Sequence, residues 1–227
     1  MDAAVYPSPA EVAQAVADKI VAGLQTAVHE RGHAYLNLAG GSTFQTVYRL
    51  LATPEYQAAL DWSQVDFYFG DERQVALTDP LSNYRAAYEA WLHLYQDSPH
   101  VHSLQEIASS GVELPIFDIT LLGVGPDGHT ASIFPGSLEV VLKVTEPVVE
   151  TMGELEPKIP RLTMTPATLN RSRLIVLAVT GENKAAIVPE IFADKAHTYP
   201  VSYIKAEYGP TEWLLDEAAA SQWKNVK

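Results

Sequence analysis

Residues 116–124 constrain this chain more than any other stretch. The run Ile-Phe-Asp-Ile-Thr-Leu-Leu-Gly-Val is mostly apolar and stops at Gly125-Pro126-Asp127-Gly128. A short apolar run bounded by turn residues fits a central parallel strand buried on both faces. Parallel strands cannot be joined by tight hairpins and need crossover connections, usually helices. The rest of the chain should therefore alternate strands with helices.

The pattern agrees. Ser8, Pro9 and Glu11 form an N-terminal helix signature with a capping box, and Val12, Val16, Ile20, Leu24 and Val28 make one apolar stripe that Gly32 can end. Residues 34–38 read as a strand that breaks at Gly40 and Gly41, and 43–51 as a helix stopped before Pro54. Residues 65–69 form a second strand, ended by Gly70-Asp71-Glu72-Arg73, and 82–95 a helix. Further strands are expected at 144–149, 174–179 and 200–204, with helices through Ile187 and over 217–223; 135–160 is the least regular part. This order predicts one α/β domain over 1–227, a three-layer, mostly parallel Rossmann-like sheet flanked by helices. At 227 residues such a domain needs no staple, and no cysteine is present to make one.

Charge narrows the partners. The chain has 15 Lys and Arg against 28 Asp and Glu, a formal net charge of −13. So acidic a body should repel nucleic acid and anionic lipid, and an anionic ligand must find its few cations gathered at one place. No apolar stretch is long enough to cross a membrane, and the N-terminus lacks the basic start and apolar core of a signal peptide. The expected location is the cytoplasm, and the sequon at Asn170 is read as chance.

In doubly wound sheets ligands bind outside the carboxyl ends of the strands, and three conspicuous clusters, at 40–43, 70–73 and 123–129, each follow a predicted strand. Gly40-Gly41-Ser42-Thr43 joins a strand end to a helix start. There glycines allow close approach and helix N–H groups can hold a phosphate, although a plain turn capped by Thr43 would look the same. His129 follows Asp127 and Gly128 at the end of the most apolar strand. It should face the ligand crevice, where an imidazole oriented by a carboxylate can move protons near neutral pH. Arg73, Arg161 and Lys184 lie near predicted turns: Arg73 past a strand, Arg161 after a Pro-bounded loop, Lys184 in the first turn of a helix. A cation at that helix position is disfavoured unless an anion sits nearby.

Two motif matches carry little. His29-Glu30-x-x-His33 fits a zinc-protease pattern, but Gly32 interrupts the helix that would put both histidines on one face. Gly123, Gly125 and Gly128 fit G-x-G-x-x-G but come past mid-chain, with Pro135 soon after, so no dinucleotide turn is expected. There is no G-x-S-x-G elbow and no cysteine for an acyl-enzyme, and no metal or organic cofactor is expected.

Taken together, five segments resemble the glucosamine-6-phosphate isomerase/6-phosphogluconolactonase family, in the family's order and over nearly the whole chain. They are Leu38-Ala-Gly-Gly-Ser-Thr43; Phe69-Gly-Asp-Glu-Arg-Gln-Val75 with Ser82-Asn83; Leu121-Leu-Gly-Val-Gly-Pro-Asp-Gly-His-Thr-Ala-Ser-Ile-Phe-Pro135; Arg161-Leu-Thr-Met-Thr165 with Leu169-Asn170 and Gly181-Glu-Asn-Lys184; and Trp213-Leu-Leu-Asp-Glu217. Phe44 and Ala76 stand where the family usually has proline. The deaminase branch typically continues Asp-Gly-His with Asn-Glu-Pro, whereas here Thr130-Ala-Ser-Ile-Phe134 follows, which favours the lactonase branch.

The resemblance implies hydrolysis of 6-phospho-D-glucono-1,5-lactone to 6-phosphogluconate, in the oxidative pentose phosphate pathway, by a monomer or small homo-oligomer. His129 would be general base and then acid, Asp127 its orienting carboxylate, and Asp71 a further acidic position of catalytic or structural role. Gly40, Gly41, Ser42, Thr43, Arg73, Asn83, Arg161 and Lys184 would bind substrate and phosphate. The rival expectations are a deaminase or isomerase acting on glucosamine 6-phosphate, and a non-catalytic sugar-phosphate sensor.

Overall fold

A computed structural model describes residues 3–95 and 100–223. The chain opens with strand β1 (Ala3–Tyr6) and helix α1 (Pro9–Arg31). The predicted stripe buries Val12, Val16, Ile20 and Leu24 fully, and Gly32, at φ 74°, ends the helix by donating its N–H to the Val28 carbonyl. Ser8 caps the other end, accepting from the Glu11 N–H at 3.3 Å. The capping box is only half made, because the Glu11 carboxylate accepts from the Ser8 hydroxyl.

Next come β2 (Ala34–Leu38), α2 (Ser42–Leu51), α3 (Pro54–Ala59), β3 (Val65–Phe69), β4 (Asp71–Arg73), α4 (Asn83–Ala90) and α5 (Leu104–Ser110). The helix expected over 82–95 breaks at Trp91, whose fully buried indole packs edge-on against Trp62 and Phe67. Residues Leu92–Tyr95 then form a separate 3₁₀ turn. The apolar run supplies β5 (Ile119–Gly123), followed by α6 (Leu138–Val141), β6 (Val148–Met152), β7 (Pro160–Met164), α7 (Pro166–Asn170), β8 (Ile175–Val179), α8 (Ile187–Ala193), β9 (Thr211–Asp216) and α9 (Glu217–Ala220).

Six strands form a central sheet in the order β1-β9-β8-β5-β2-β3, every pairing parallel, with helices flanking it. From β2 the chain moves outward to β3 and then returns to β5 on the other side. The strand order therefore reverses between β2 and β5, the kind of switch point where such sheets open a crevice.

The late strand is displaced from its expected place. In place of the strand expected at 200–204 stands a 3₁₀ turn, Pro200–Tyr203, whose first residue has no N–H for a ladder, and the strand is β9 instead. The helix expected through Ile187 divides into a 3₁₀ turn, Glu182–Lys184, and α8. The irregular 135–160 stretch contributes β6 to a second, antiparallel sheet, β4-β7-β6, with its strand at Val148–Met152 and not at 144–149. Asp71-Glu72-Arg73, expected only to end a strand, is itself a strand of that sheet. So polar a triplet carries no local strand signal, and its conformation comes from pairing with β7.

Candidate active site

A cleft of about 300 Å³ opens at the carboxyl ends of β2, β5 and β8 and is closed on one side by the small sheet. Gly40, Gly41, Ser42, Thr43, Asp71, Arg73, Asn83, His129, Arg161 and Lys184 all line it. Of the sequence candidates only Asp127 does not, because it stands behind His129.

The β2–α2 loop leaves the start of α2 open. Its N-cap is Gly41, at φ 99°, and no side chain among the described residues caps the helix, so the reading of Thr43 as cap is replaced. The Thr43 hydroxyl instead meets that of Thr180 at 2.8 Å, tying this loop to the one after β8. Free N–H groups at a helix start facing a cleft form an anion seat. Phe44, in the first turn, is buried.

The β5 loop carries the titratable pair. The Asp127 carboxylate accepts from the His129 backbone N–H at 3.2 Å and lies 2.5 Å from Nδ1. An acceptor there assigns the ring proton to Nδ1 and leaves the Nε2 lone pair available. Burial alone would raise the Asp127 carboxyl, but the hydrogen bond and charge of His129 outweigh it and hold it below the usual carboxylate range. The ring packs closely on Gly125, where a Cβ would fall 1.9 Å from Nδ1, and against Phe134, with ring centres 4.6 Å apart. Ala131, at φ 48°, keeps a left-handed backbone unusual for a residue with a Cβ.

Arg73 and Arg161 face one another across β4 and β7; Arg161 does follow the Pro-bounded loop, as the second residue of β7. Like charges paired across strands repel. Among the described residues both guanidinium Nε atoms are buried without a hydrogen-bond partner, while an Nη of Arg161 donates to the Pro157 carbonyl. Burial, then the charge of Arg73, lowers the Arg161 pKa. The half-buried Lys184 ammonium is likewise lowered by burial and partly sustained by Asp127. An anion in the cleft would relieve all three cations.

Asp71 is held by two neutral donors, the Ser132 hydroxyl at 2.6 Å and the Asn83 amide at 3.3 Å. Its neighbour Glu72 turns the other way and takes the N–H groups of Arg73, Asn83 and Tyr84, each at 2.7 Å, fixing the start of α4. Burial raises the Glu72 carboxyl, and these hydrogen bonds oppose the rise. Sequence reasoning gave no role to Ser132, Thr180, Asn183 or Asp216, although Thr180 and Asn183 also line the cleft. Asp216 accepts the Gly181 N–H at 3.0 Å and so anchors the turn that presents Lys184. Only the run 213–217 hinted at it.

A family description covering glucosamine-6-phosphate isomerases and 6-phosphogluconolactonase matches residues 7–213. The chain belongs to this glucosamine-6-phosphate isomerase/6-phosphogluconolactonase family. It is 35% identical to the 6-phosphogluconolactonase of Synechocystis, over 85% of this chain and 86% of that protein. It is 32% identical to that of Rattus norvegicus, over 95% and 91%. Among solved structures of the family, the 6-phosphogluconolactonase of Trypanosoma brucei superposes with a TM-score of 0.83 at 29% identity, covering 98% of this chain and 99% of that one. A monomeric glucosamine-6-phosphate deaminase shares the fold, with a TM-score of 0.75 at 20% identity.

Proposed function

We infer that the chain hydrolyses 6-phospho-D-glucono-1,5-lactone to 6-phosphogluconate. The observation that carries this reading is His129, paired with Asp127 and lining the same cleft as the open start of α2 and three cations. The substrate phosphate sits on the Gly41–Thr43 N–H groups, with Lys184 beside it. That seat aims the lactone carbonyl toward His129. Nε2 takes a proton from water as its oxygen bonds to the carbonyl carbon, giving a tetrahedral oxyanion. Collapse breaks the bond to the ring oxygen, and the imidazolium returns the proton to that oxygen, giving a free carboxylic acid and hydroxyl.

Asp127 holds the neutral ring in the tautomer that carries its proton on Nδ1 and stabilises the imidazolium that forms. Arg73 and Arg161, whose Nε–H groups have no partner among the described residues, serve the phosphate or the oxyanion. Asp71, held by Ser132 and Asn83, shapes the cleft wall and balances the two arginines. We further propose that residues 1–227 act as one domain, as a cytoplasmic enzyme whose lactone chemistry uses no metal or organic cofactor.

The test is lactone hydrolysis followed by pH-stat, with the spontaneous rate subtracted and His129→Ala run in parallel. Turnover that collapses in the variant with substrate binding retained supports the reading. Wild-type activity in the variant removes His129 from the mechanism. Ammonia release from glucosamine 6-phosphate in place of lactone turnover would assign the deaminase reaction.

A further inference from the structure

At the opposite end of the central sheet, three histidines gather around one carboxylate. His33 immediately precedes β2, and its Nε2 meets Asp66 Oδ2. Asp66 is the second residue of β3, beside Tyr35 in the β2–β3 register. His100 Nδ1 lies 3.0 Å, and His102 Nε2 2.7 Å, from Asp66 Oδ1. The strands are five residues long, so the cluster lies about 16 Å from the catalytic cleft. Nothing in the lactone chemistry uses it.

From the side chains of His33, Asp66 and His100 we infer a binding site for a divalent transition-metal ion of the zinc type. One ligand atom from each of the three falls within 4.8 Å of the other two. Two imidazole nitrogens and a carboxylate oxygen are donors that borderline ions such as zinc take, at about 2.0–2.2 Å, which sets neighbouring donors about 3.3 Å apart. The two contacts to Asp66 are already at or inside that spacing, so binding needs only a modest approach of His33 and His100.

The frame is prepared for this. The main chain of 100–102 pairs with β3: the Phe67 N–H donates to the His100 carbonyl at 2.7 Å, and the His102 N–H to the Phe67 carbonyl at 2.9 Å. Tyr35 packs edge-on to the His33 ring, 5.1 Å between centres. His102 stacks on Tyr68 at 4.6 Å and orients Asp66 from outside the trio, its Nε2 2.7 Å from Oδ1. The ligand side chains keep 13–32% of their exposure, which leaves an ion a way in. The surrounding charge of −13 favours a cation. The His29-Glu-x-x-His33 spacing does not build this site, since His33 pairs with residues from β3 and the segment beside it.

The experiment uses the full, untagged chain stripped by a chelator, with zinc alone as probe in competition titrations at neutral pH. One equivalent should bind. The Tm should rise by about 3–5 °C for each tenfold of free zinc above Kd. His33→Ala and His100→Ala should each weaken binding at least about tenfold, the scale seen for losing even an outer-shell partner, while His129→Ala leaves it unchanged. Absence of zinc binding by the wild type, full binding by both folded cluster variants, or its loss in His129→Ala overturns the site. If a cluster variant fails to fold, cobalt added to the wild type decides. Paramagnetic broadening of the His33 and His100 imidazole signals ahead of the other histidines upholds the proposal, and broadening elsewhere first refutes it.

Discussion

Gly125→Ala tests the catalytic geometry with a single methyl group. The φ of Gly125 lies outside the left-handed region, so its backbone accepts an alanine without strain. The difficulty is space. The new Cβ would fall 1.9 Å from His129 Nδ1, 2.1 Å from Cε1 and 2.6 Å from Asp127 Oδ1. Such contacts are not tolerated below about 3 Å, so the imidazole must withdraw by 1 Å or more, and the 2.5 Å bond to Asp127 must open. A misplacement of that size in a reacting group costs about 10²-fold in kcat. The phosphate seat at Gly41–Thr43 is untouched, so KM should change little. His129 keeps about a fifth of its side-chain exposure and can swing outward, so the stability cost should stay at the low end of the roughly 1–3 kcal/mol typical of overpacking. The assay is kcat and KM from initial rates of lactone hydrolysis, with urea unfolding alongside. A kcat within threefold of wild type in a folded variant would show that the imidazole need not lie over Gly125, and would refute the assigned geometry.

Other expectations follow from the same contacts. Asp127→Asn removes a hydrogen bond to a charged partner worth about 1.5–3 kcal/mol, so kcat should fall by about 10–150-fold with KM nearly constant; an unchanged kcat would mean that Asp127 does not act through His129. The Asp127 carboxyl is lowered on folding, so its contribution to stability is complete above the unfolded value near 3.9 and fades as pH falls through the lower folded value; urea unfolding from pH 6 to 2 should show that slope in wild type and lack it in Asp127→Asn. Lys184→Met should raise the Ki of phosphate-bearing competitors by about 10–150-fold while leaving unphosphorylated analogues unaffected. In wild type, burial lowers the Lys184 ammonium, so that binding should weaken with rising pH below the ordinary lysine range, and Lys184→Met should lose the dependence. Ser132→Ala leaves one oxygen of the buried Asp71 without its 2.6 Å donor and should cost about 1–3 kcal/mol in unfolding experiments; no loss would mean that water replaces the hydroxyl fully.

Local features carried much of this structure into view. The four-residue stripe of α1, the β-rich runs that became β2, β3 and β8, and the apolar run containing β5 each declare themselves within a few residues, because helix and strand repeats are short. The strand-end rule then placed residues 40–43, 70–73 and 123–129 around one crevice, and the spacing of Asp127 and His129 already allowed their contact. Tertiary structure alone decided what depends on partners far along the chain. Asp71-Glu72-Arg73 becomes a strand only by pairing with β7, which sets Arg73 opposite Arg161, 88 residues away. Ser132 reaches Asp71 across 61 residues, and His100 and His102 reach Asp66 across 34 and 36. Such contacts leave no periodicity in the sequence, because the energy that selects them belongs to the closed chain and not to any segment of it.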